Sequence, residues 1–433
     1  MSKIILKGRT LSFLRQPKNV NDSSSYEYNE SGAILINNGI IEKVESYEKI
    51  KKTISKNIKI FDHSGKLLMP GFIDPHLHYP QTKIIGSYAS NLLEWLKKYT
   101  FLEEKKYSNK EYSIKASKIF FNELINNGTT SCASFCTTSK NSVEAFFSEA
   151  KKRNMMVIGG KTLMDRNAPK TLLENSTKGY ELTKKLINKW HNNGRCLYAI
   201  TPRFAITSTI EQMKSVQTLK EEYPECYLQT HLSENFEEIE LVKKLYPSFK
   251  NYTSIYEHYG FLGKKSLFGH CIHLSESELD LLNESHSKVI FCPTSNLFLG
   301  SGLFDLKKIN KKNNIQIGVA TDIGGGTSFN MLKTLDEAYK ICQLQKNKIS
   351  SLDSFYHITL GNAKCLSLES KIGTLSKGSD ADIVVIDSRA TSSLEIRKNN
   401  LNSLEEELFY IQTLGDDRCI SQVYIKGKPA KNT

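Results

Sequence analysis

His76 and His78 stand one residue apart at the end of the run Pro70-Gly71-Phe72-Ile73-Asp74-Pro75. On an extended strand, side chains two positions apart share a face, so both imidazoles can reach one ion. Taken alone, an H-x-H pair is equally two polar residues in a turn after Pro75. Three later segments change that balance: Thr230-His231-Leu232-Ser233-Glu234, Phe268-Gly269-His270 and Ala320-Thr321-Asp322. Each puts a ligand-type residue where a strand is expected to end. Three or four imidazoles with a carboxylate and no thiolate suit Zn²⁺ first and Fe²⁺ second. A divalent ion so held lowers the pKa of water from 15.7 to about 7, and Glu234 is placed to shuttle the proton released. Asp322 can bind the ion and also accept a proton from the attacking water. A closed structural zinc site uses four ligands and has no need of a further acid, so Glu234 is the feature that favours catalysis.

These residues lie far apart in the chain, and a regular scaffold must gather them. From Pro70 onward the pattern alternates between strand and amphipathic helix. Expected strands cover 71–78, 130–135, 155–161, 197–204, 227–232, 266–272, 288–295 and 315–322. Eight such β/α units predict an α/β fold, a (β/α)8 TIM-type barrel with its site at the C-terminal ends of the strands. His76 and His78 then end the first strand, and Arg203 and Phe204 end the fourth. His231 ends the fifth, with Glu234 in the loop beyond it. His270 lies on the sixth and Asp322 ends the eighth. Ser275-Glu276-Ser277-Glu278 is a capping box opening one helix, and Ser142 is the expected cap of a helix running to Lys152. Before the barrel, 32–37 reads as a strand entering an Asn38-Gly39 type I′ turn, with 40–44 as its partner. After about Lys371 the chain is strand-like again, at 381–386 and 422–425. The expected organisation is therefore 1–69 and 371–433 joined in a small flanking β-sandwich domain, with the barrel over 70–370.

The composition fits a cytoplasmic enzyme. A chain of 433 residues can bury a large core. No apolar run approaches the roughly 18 residues needed to span a bilayer, and the apolar core of Met1-Ser2-Lys3-Ile4-Ile5-Leu6-Lys7 is too short for a signal peptide. The net charge is +13 and the pI about 9.1, so nucleic acid and acidic membranes must be weighed as partners. The lysines are spread in isolated pairs such as Lys51-Lys52 and Lys311-Lys312 with no aromatic-interleaved block, which reads as a solvated surface with no nucleic-acid or membrane partner. Nine scattered cysteines without a C-x-x-C suggest neither disulfides nor a zinc ribbon. Cys132, Cys136, Cys271 and Cys292 read as small core residues. Asn251-Tyr252-Thr253 is a chance glycosylation match in a chain without a secretory signal. Gly324-Gly325-Gly326 is not followed by Lys, so it is no phosphate loop; it is expected to let backbone pass close to a substrate.

Several runs together resemble the amidohydrolase superfamily over nearly the whole chain. They are PGFIDPHLHYPQ at 70–81, LLEWLKKYTF at 92–101, NNGTT at 126–130, TPRF at 201–204, QTHLSEN at 229–235, LYPSFKNYTSIY at 245–256, GHCIHLS at 269–275, CPTSNLFLGSGLF at 292–304 and TDIGGGTSF at 321–329. The H-x-H and the terminal Asp are signals of the superfamily, whereas LLEWLKKYTF, TPRF and YPSFKNYTS are similar to the guanine deaminases within it. That resemblance implies zinc on His76, His78, His231 and Asp322, with His270 orienting the hydroxide. It implies that Glu234 carries a proton to purine N3 and then to the leaving amine. Gln81, Arg203 and Phe204 would hold the purine base guanine, the Arg203 guanidinium toward O6. The resemblance also implies a homodimer. Leu102 departs from the pattern, standing where a proline is expected after the 95–101 helix. Other readings are deamination of another aminopurine, cytosine or a triazine, and a non-catalytic scaffold that kept the fold. Two-metal cyclic-amide hydrolysis is disfavoured because it uses a lysine at the end of the fourth strand, where this chain has Arg203-Phe204. The cytidine-deaminase type of zinc site needs a P-C-x-x-C that is lacking here.

Overall fold

Strands buried on both faces need apolar or small residues at every position, and the central zone supplies them: Thr129–Phe135 is buried throughout. The structure, a computed structural model, describes residues 3–53, 58–401 and 403–431. The outermost ends of the expected flanking unit, 1–2 and 432–433, lie outside the described residues. Eight parallel strands form the barrel wall: β1 (Phe72–His78), β2 (Thr129–Phe135), β3 (Met156–Gly160), β4 (Cys196–Pro202), β5 (Tyr227–Leu232), β6 (Ser266–His270), β7 (Lys288–Phe291) and β8 (Gln316–Val319). Neighbours in the chain are neighbours in the sheet, from β1 round to β8. The (β/α)8 architecture expected from the alternation is therefore the fold observed.

The seam between β8 and β1 is closed by a side chain. Asn362 Oδ1 accepts from Val319 N at 2.9 Å, while its Nδ2 donates to Val319 O at 2.8 Å and to Ile73 O at 2.6 Å. One amide thus stands in for ladder bonds that the two strands do not make directly. Beyond it, Asp322 N donates to His76 O at 3.0 Å. The barrel interior packs Ile73, Ala133, Ile158, Ala199, Leu267 and Ile290 against Ala363, Leu366 and Leu368. Tyr227, the first residue of β5, donates its hydroxyl to Leu366 O at 2.6 Å. This segment after β8 plugs the end where strands begin and leaves the opposite end for chemistry.

The flanking sheet draws Lys3–Phe13, Tyr26–Asn29, Gly32–Asn37, Ile40–Ser46 and Lys59–Pro70 from one end of the chain, and Ile383–Ile386, Ile420–Ile425 and Lys428–Pro429 from the other. Lys59–Pro70 joins the two sets. It pairs in parallel with Lys3–Phe13 and antiparallel with Ile383–Ile386, so the described strands form one continuous sheet. Alternation sorts its faces: Leu67 and Met69 face the main core, and Leu68 packs with Ile34, Ile383 and Val385. The hairpin turn has φ of 53° at Asn38 and 77° at Gly39, the two positive values that a type I′ turn requires.

Three local expectations need correction. Ser142 does not cap a helix: the helix is Lys140–Arg153, its cap is Ser139, and buried Ser142 accepts from Thr137 N through its hydroxyl. β7 stops at Phe291, because Pro293 begins the helix Pro293–Phe298, a position that proline favours. Helix also does not end at Leu102. Leu92–Trp95, the wider turn Leu96–Thr100, Phe101–Glu104 and Lys105–Ser108 follow one another without a break, and Leu102 simply points outward, 49% exposed.

Candidate active site

At the open end of the barrel the strand termini bring together His76, His78, His231, His270, Glu234 and Asp322. All six side chains are buried. His78 Nε2 lies 3.1 Å from His231 Nε2. Asp322 Oδ1 is 3.5 Å from His76 Nε2 and 3.6 Å from His78 Nε2, and Asp322 Oδ2 is 3.7 Å from His270 Nε2. Backbone and packing hold this arrangement under strain. His270 and Asp322 have φ of 71° and 53°, left-handed conformations that cost on the order of 1–3 kcal/mol each and persist only where surroundings impose them. Gly269 is needed for His76: a Cβ there would stand 2.5 Å from the His76 ring.

The donor set fits a divalent metal ion. His231 Nδ1 is 2.7 Å from Arg203 O, so the proton belongs on Nδ1 and the Nε2 lone pair faces the centre. His76 Nε2 is buried and has no hydrogen-bond partner among the described residues, which is costly for a polar atom unless something else satisfies it. Burial holds His78 and His231 well below the usual imidazole pKa, and so keeps them neutral, the form that binds metal. Burial pushes the Asp322 carboxyl up, but the neighbouring imidazoles of His76, His270 and His78 outweigh it and hold it below the usual carboxylate range. Cys292 also comes within ligand distance of this cluster. Burial raises its thiol well above the ordinary value, which disfavours the thiolate that a metal would need.

Glu234 and His270 face each other, with Oε2 and Nε2 3.4 Å apart. Ser301 donates to Glu234 Oε1 at 2.8 Å, and Asn296 Oδ1 lies 2.9 Å from His270 Nδ1. Each group is thus pinned on its far side and presents its near side to the cavity. Burial raises the Glu234 carboxyl above its usual range against the pull of His270. The His270 imidazole is lowered by burial but raised more by Glu234 and Asp322. Behind them Glu238 accepts from Glu234 N at 2.8 Å and closes a capping box with Asn235. Burial, reinforced by Glu234, pushes the Glu238 carboxyl up to about 7.

A cavity opens over His78, His231, Glu234, His270 and Asp322, lined also by Gln81, Leu92, Trp95, Leu96, Arg203, Phe204, Leu299 and Gly325. Arg203 and Phe204 fall just past the end of β4. Arg203 does form the barrel-end salt bridge that is the plain alternative to a binding role: both Glu104 oxygens lie 2.9 Å from its Nη1. It lines the cavity as well, so the two readings coexist. Gln81 is buried rather than solvated. Of the three glycines only Gly325 lines the cavity. Gly324 passes against the Gln81 backbone and Gly326 against Thr321 O, where a Cβ would collide. Their freedom therefore serves chain packing more than contact with a substrate.

Glu104, Ser301, Asn296 and Glu238 carry no signal that singles them out in the sequence as site residues. Ser301 and Asn296 sit inside the run 292–304 without a spacing of their own. The one available hint for Glu104 is its place on a helix otherwise apolar at Leu92, Trp95, Leu96 and Phe101, where a buried carboxylate demands a partner.

The model of the amidohydrolase family matches residues 67–430. The guanine deaminase of Escherichia coli K12 is 48% identical over 406 residues, 94% of this chain and 92% of that protein. The mouse guanine deaminase is 32% identical, covering 92% and 90%. Among solved structures, the E. coli guanine deaminase superposes with a TM-score of 0.96 at 46% identity, covering 99% of both chains. That of C. acetobutylicum, with bound guanine in the active site, does so with 0.88 at 30% identity, covering 99% and 100%. The chain belongs to the amidohydrolase family and stands among its guanine deaminases.

Proposed function

We propose that this chain hydrolyses guanine to xanthine and ammonia, using one zinc ion held by His76, His78, His231 and Asp322. The observation that carries this reading is one cavity at the open end of the barrel shared by His78, His231 and Asp322 of the donor set, the Glu234–His270 pair and the donors of Arg203 and Gln81. When bound, the ion supplies Lewis acidity and lowers the pKa of water to about 7. Glu234 takes one proton of the attacking water and passes it to purine N3; the second proton, from the hydroxyl now on C2, passes through Glu234, with Asp322 as a further acceptor, to the amine, which leaves C2 as ammonia while C2 becomes a carbonyl. Its raised affinity for a proton suits it to act as base and then as acid. His270, fixed through Nδ1, orients the water with Nε2. Phe204 packs on the base, and Arg203 donates to O6, since a guanidinium has donors and no acceptor. The same reading takes the chain as a cytoplasmic homodimer with 70–370 as the catalytic barrel, between flanking parts 1–69 and 371–433.

Purified protein incubated with guanine should release xanthine and ammonia in equal amounts, and elemental analysis should find one zinc per chain. Absence of xanthine would overturn the activity. A stable two-metal stoichiometry, or no transition metal in active protein, would overturn the ligand assignment.

A further inference from the structure

One buried charged group has no part in that chemistry. Glu104 is 1% exposed and lies in the helical segment whose Leu92, Trp95 and Leu96 roof the cavity. Its two oxygens accept from Arg203 Nη1, and Oε1 also accepts from Gln81 Nε2 at 3.1 Å. The other end of the Gln81 amide is held as well, its Oε1 accepting from Gly324 N at 3.1 Å. A backbone N–H can only donate and a carboxylate can only accept. Together they dictate which way round the Gln81 amide sits: its oxygen lies toward Gly324 N and its nitrogen toward Glu104, which leaves one N–H to offer a ligand. Arg203 is treated likewise. Glu104 occupies Nη1, and Nε and Nη2 make no hydrogen bond to the chain among the described residues. The Phe101 ring, 5.6 Å from the guanidinium carbon, limits how far the guanidinium can swing.

We infer that Glu104 is a specificity-determining positioning residue: it fixes Gln81 and Arg203 as a pair of donors, so that this wall accepts only a base edge rich in acceptors. The inference rests on the proposed guanine deamination and adds what sets the polarity of the pocket. Guanine offers O6 to this wall. 2-Aminopurine carries the same amine at C2 but only hydrogen at C6, and it leaves the donors unmatched.

The test compares kcat/KM for guanine and 2-aminopurine in the wild type, Glu104→Gln and Glu104→Asp, with zinc content measured for each. Sites built on such hydrogen bonds discriminate by about 10⁴–10⁵, and wild-type preference for guanine should approach that range. The amide introduced by Glu104→Gln would remove the charge that both donors bind and bring an N–H against Arg203 or Gln81, so that the pair is no longer held as firmly toward the base. This variant should therefore lose guanine efficiency by about 10²-fold or more while 2-aminopurine changes by less than about tenfold, on the scale of one lost fixed donor. Glu104→Asp keeps the acceptor but withdraws it by one methylene, and should lower the preference less than Glu104→Gln does. Equal losses on both bases with zinc retained would make Glu104 merely structural and overturn the inference, as would an unchanged preference in Glu104→Gln. Should Glu104→Gln fail to fold, Glu104→Asp decides alone: a shortened carboxylate that leaves the ratio of the two bases untouched overturns the inference, and a reduced ratio sustains it. Failure of the underlying reading is separate, because it shows in the wild type as no xanthine from guanine.

Discussion

In the proposed mechanism Glu234 is the residue on which the chemistry turns. It is buried, tied through Oε1 to Ser301, and faces His270 through Oε2. Glu234→Gln keeps the shape but loses the proton-carrying oxygen, and acid–base groups are typically worth about 10²–10⁴-fold. Turnover should fall by at least that much with zinc still bound. Near-normal turnover in the metal-loaded variant would remove Glu234 from the mechanism. Glu238, directly behind, makes a prediction about stability. Burial, reinforced by Glu234, raises its carboxyl from 4.5 to about 7. A folded-state value above the unfolded one means that the folded chain keeps a proton the unfolded chain releases. The contribution is full below about pH 4.5 and is lost as the pH climbs through about 7, by up to about 3 kcal/mol. Glu238→Gln cannot titrate, so its thermal midpoint should fall less than that of the wild type between pH 5 and 7.5. Parallel pH profiles for the two proteins would show that Glu238 is not the group responsible. The metal-type residues could be read from the sequence because each follows an apolar strand. Glu104 could not, since its partners Gln81 and Arg203 are distant in the chain and no local spacing links them.

At the scale of elements, strand identity was plain and strand ends were not. Apolar runs of parallel strands stand out between amphipathic helices, and all eight expected barrel strands form. The fifth runs over the expected 227–232, while the limits of the other seven shift by a residue or more, those of the last three at the end that belongs to the site. β8 ends at Val319, and the chain then bends through Thr321 and Asp322 to meet β1. The seam explains how it can do so. Asn362 satisfies Val319 N, Val319 O and Ile73 O, and each buried group left unpaired costs about 1–3 kcal/mol. Asn362→Ala should lower unfolding stability by about 3 kcal/mol or more and speed hydrogen exchange at the Val319 amide. Preserved protection at Val319 would mean that the seam is held by other contacts. No feature of the residues around Asn362 announces this role, which exists only once the sheet has closed. The caps show the same limit: Ser139 and Ser142 are both good cap residues, and only the burial of Ser142 against Thr137 decides between them.

The whole molecule divides its labour between a closed floor and a polar mouth. Ala363, Leu366 and Leu368 plug the end where strands begin, and the flanking sheet pairs both ends of the chain through Lys59–Pro70. No helix among the described residues is long and apolar enough to cross a membrane. In the proposed reading, the cavity at the opposite end takes a base whose edge must answer Arg203, which lines it. Guanine presents a carbonyl at C6 and its amine at C2, whereas adenine carries its amine at C6 and hydrogen at C2, so that in guanine's orientation adenine leaves donors facing donors and offers no amine to the reacting groups. The most direct measurement is therefore the steady-state kcat/KM for guanine and for adenine, in the wild type and in Arg203→Met, with zinc content checked. Wild-type protein should prefer guanine by about 10⁴-fold or more, and Arg203→Met should lose most of its efficiency on guanine while keeping its zinc. Comparable efficiency on the two bases, or an Arg203→Met enzyme whose preference for guanine is unchanged, would contradict the account.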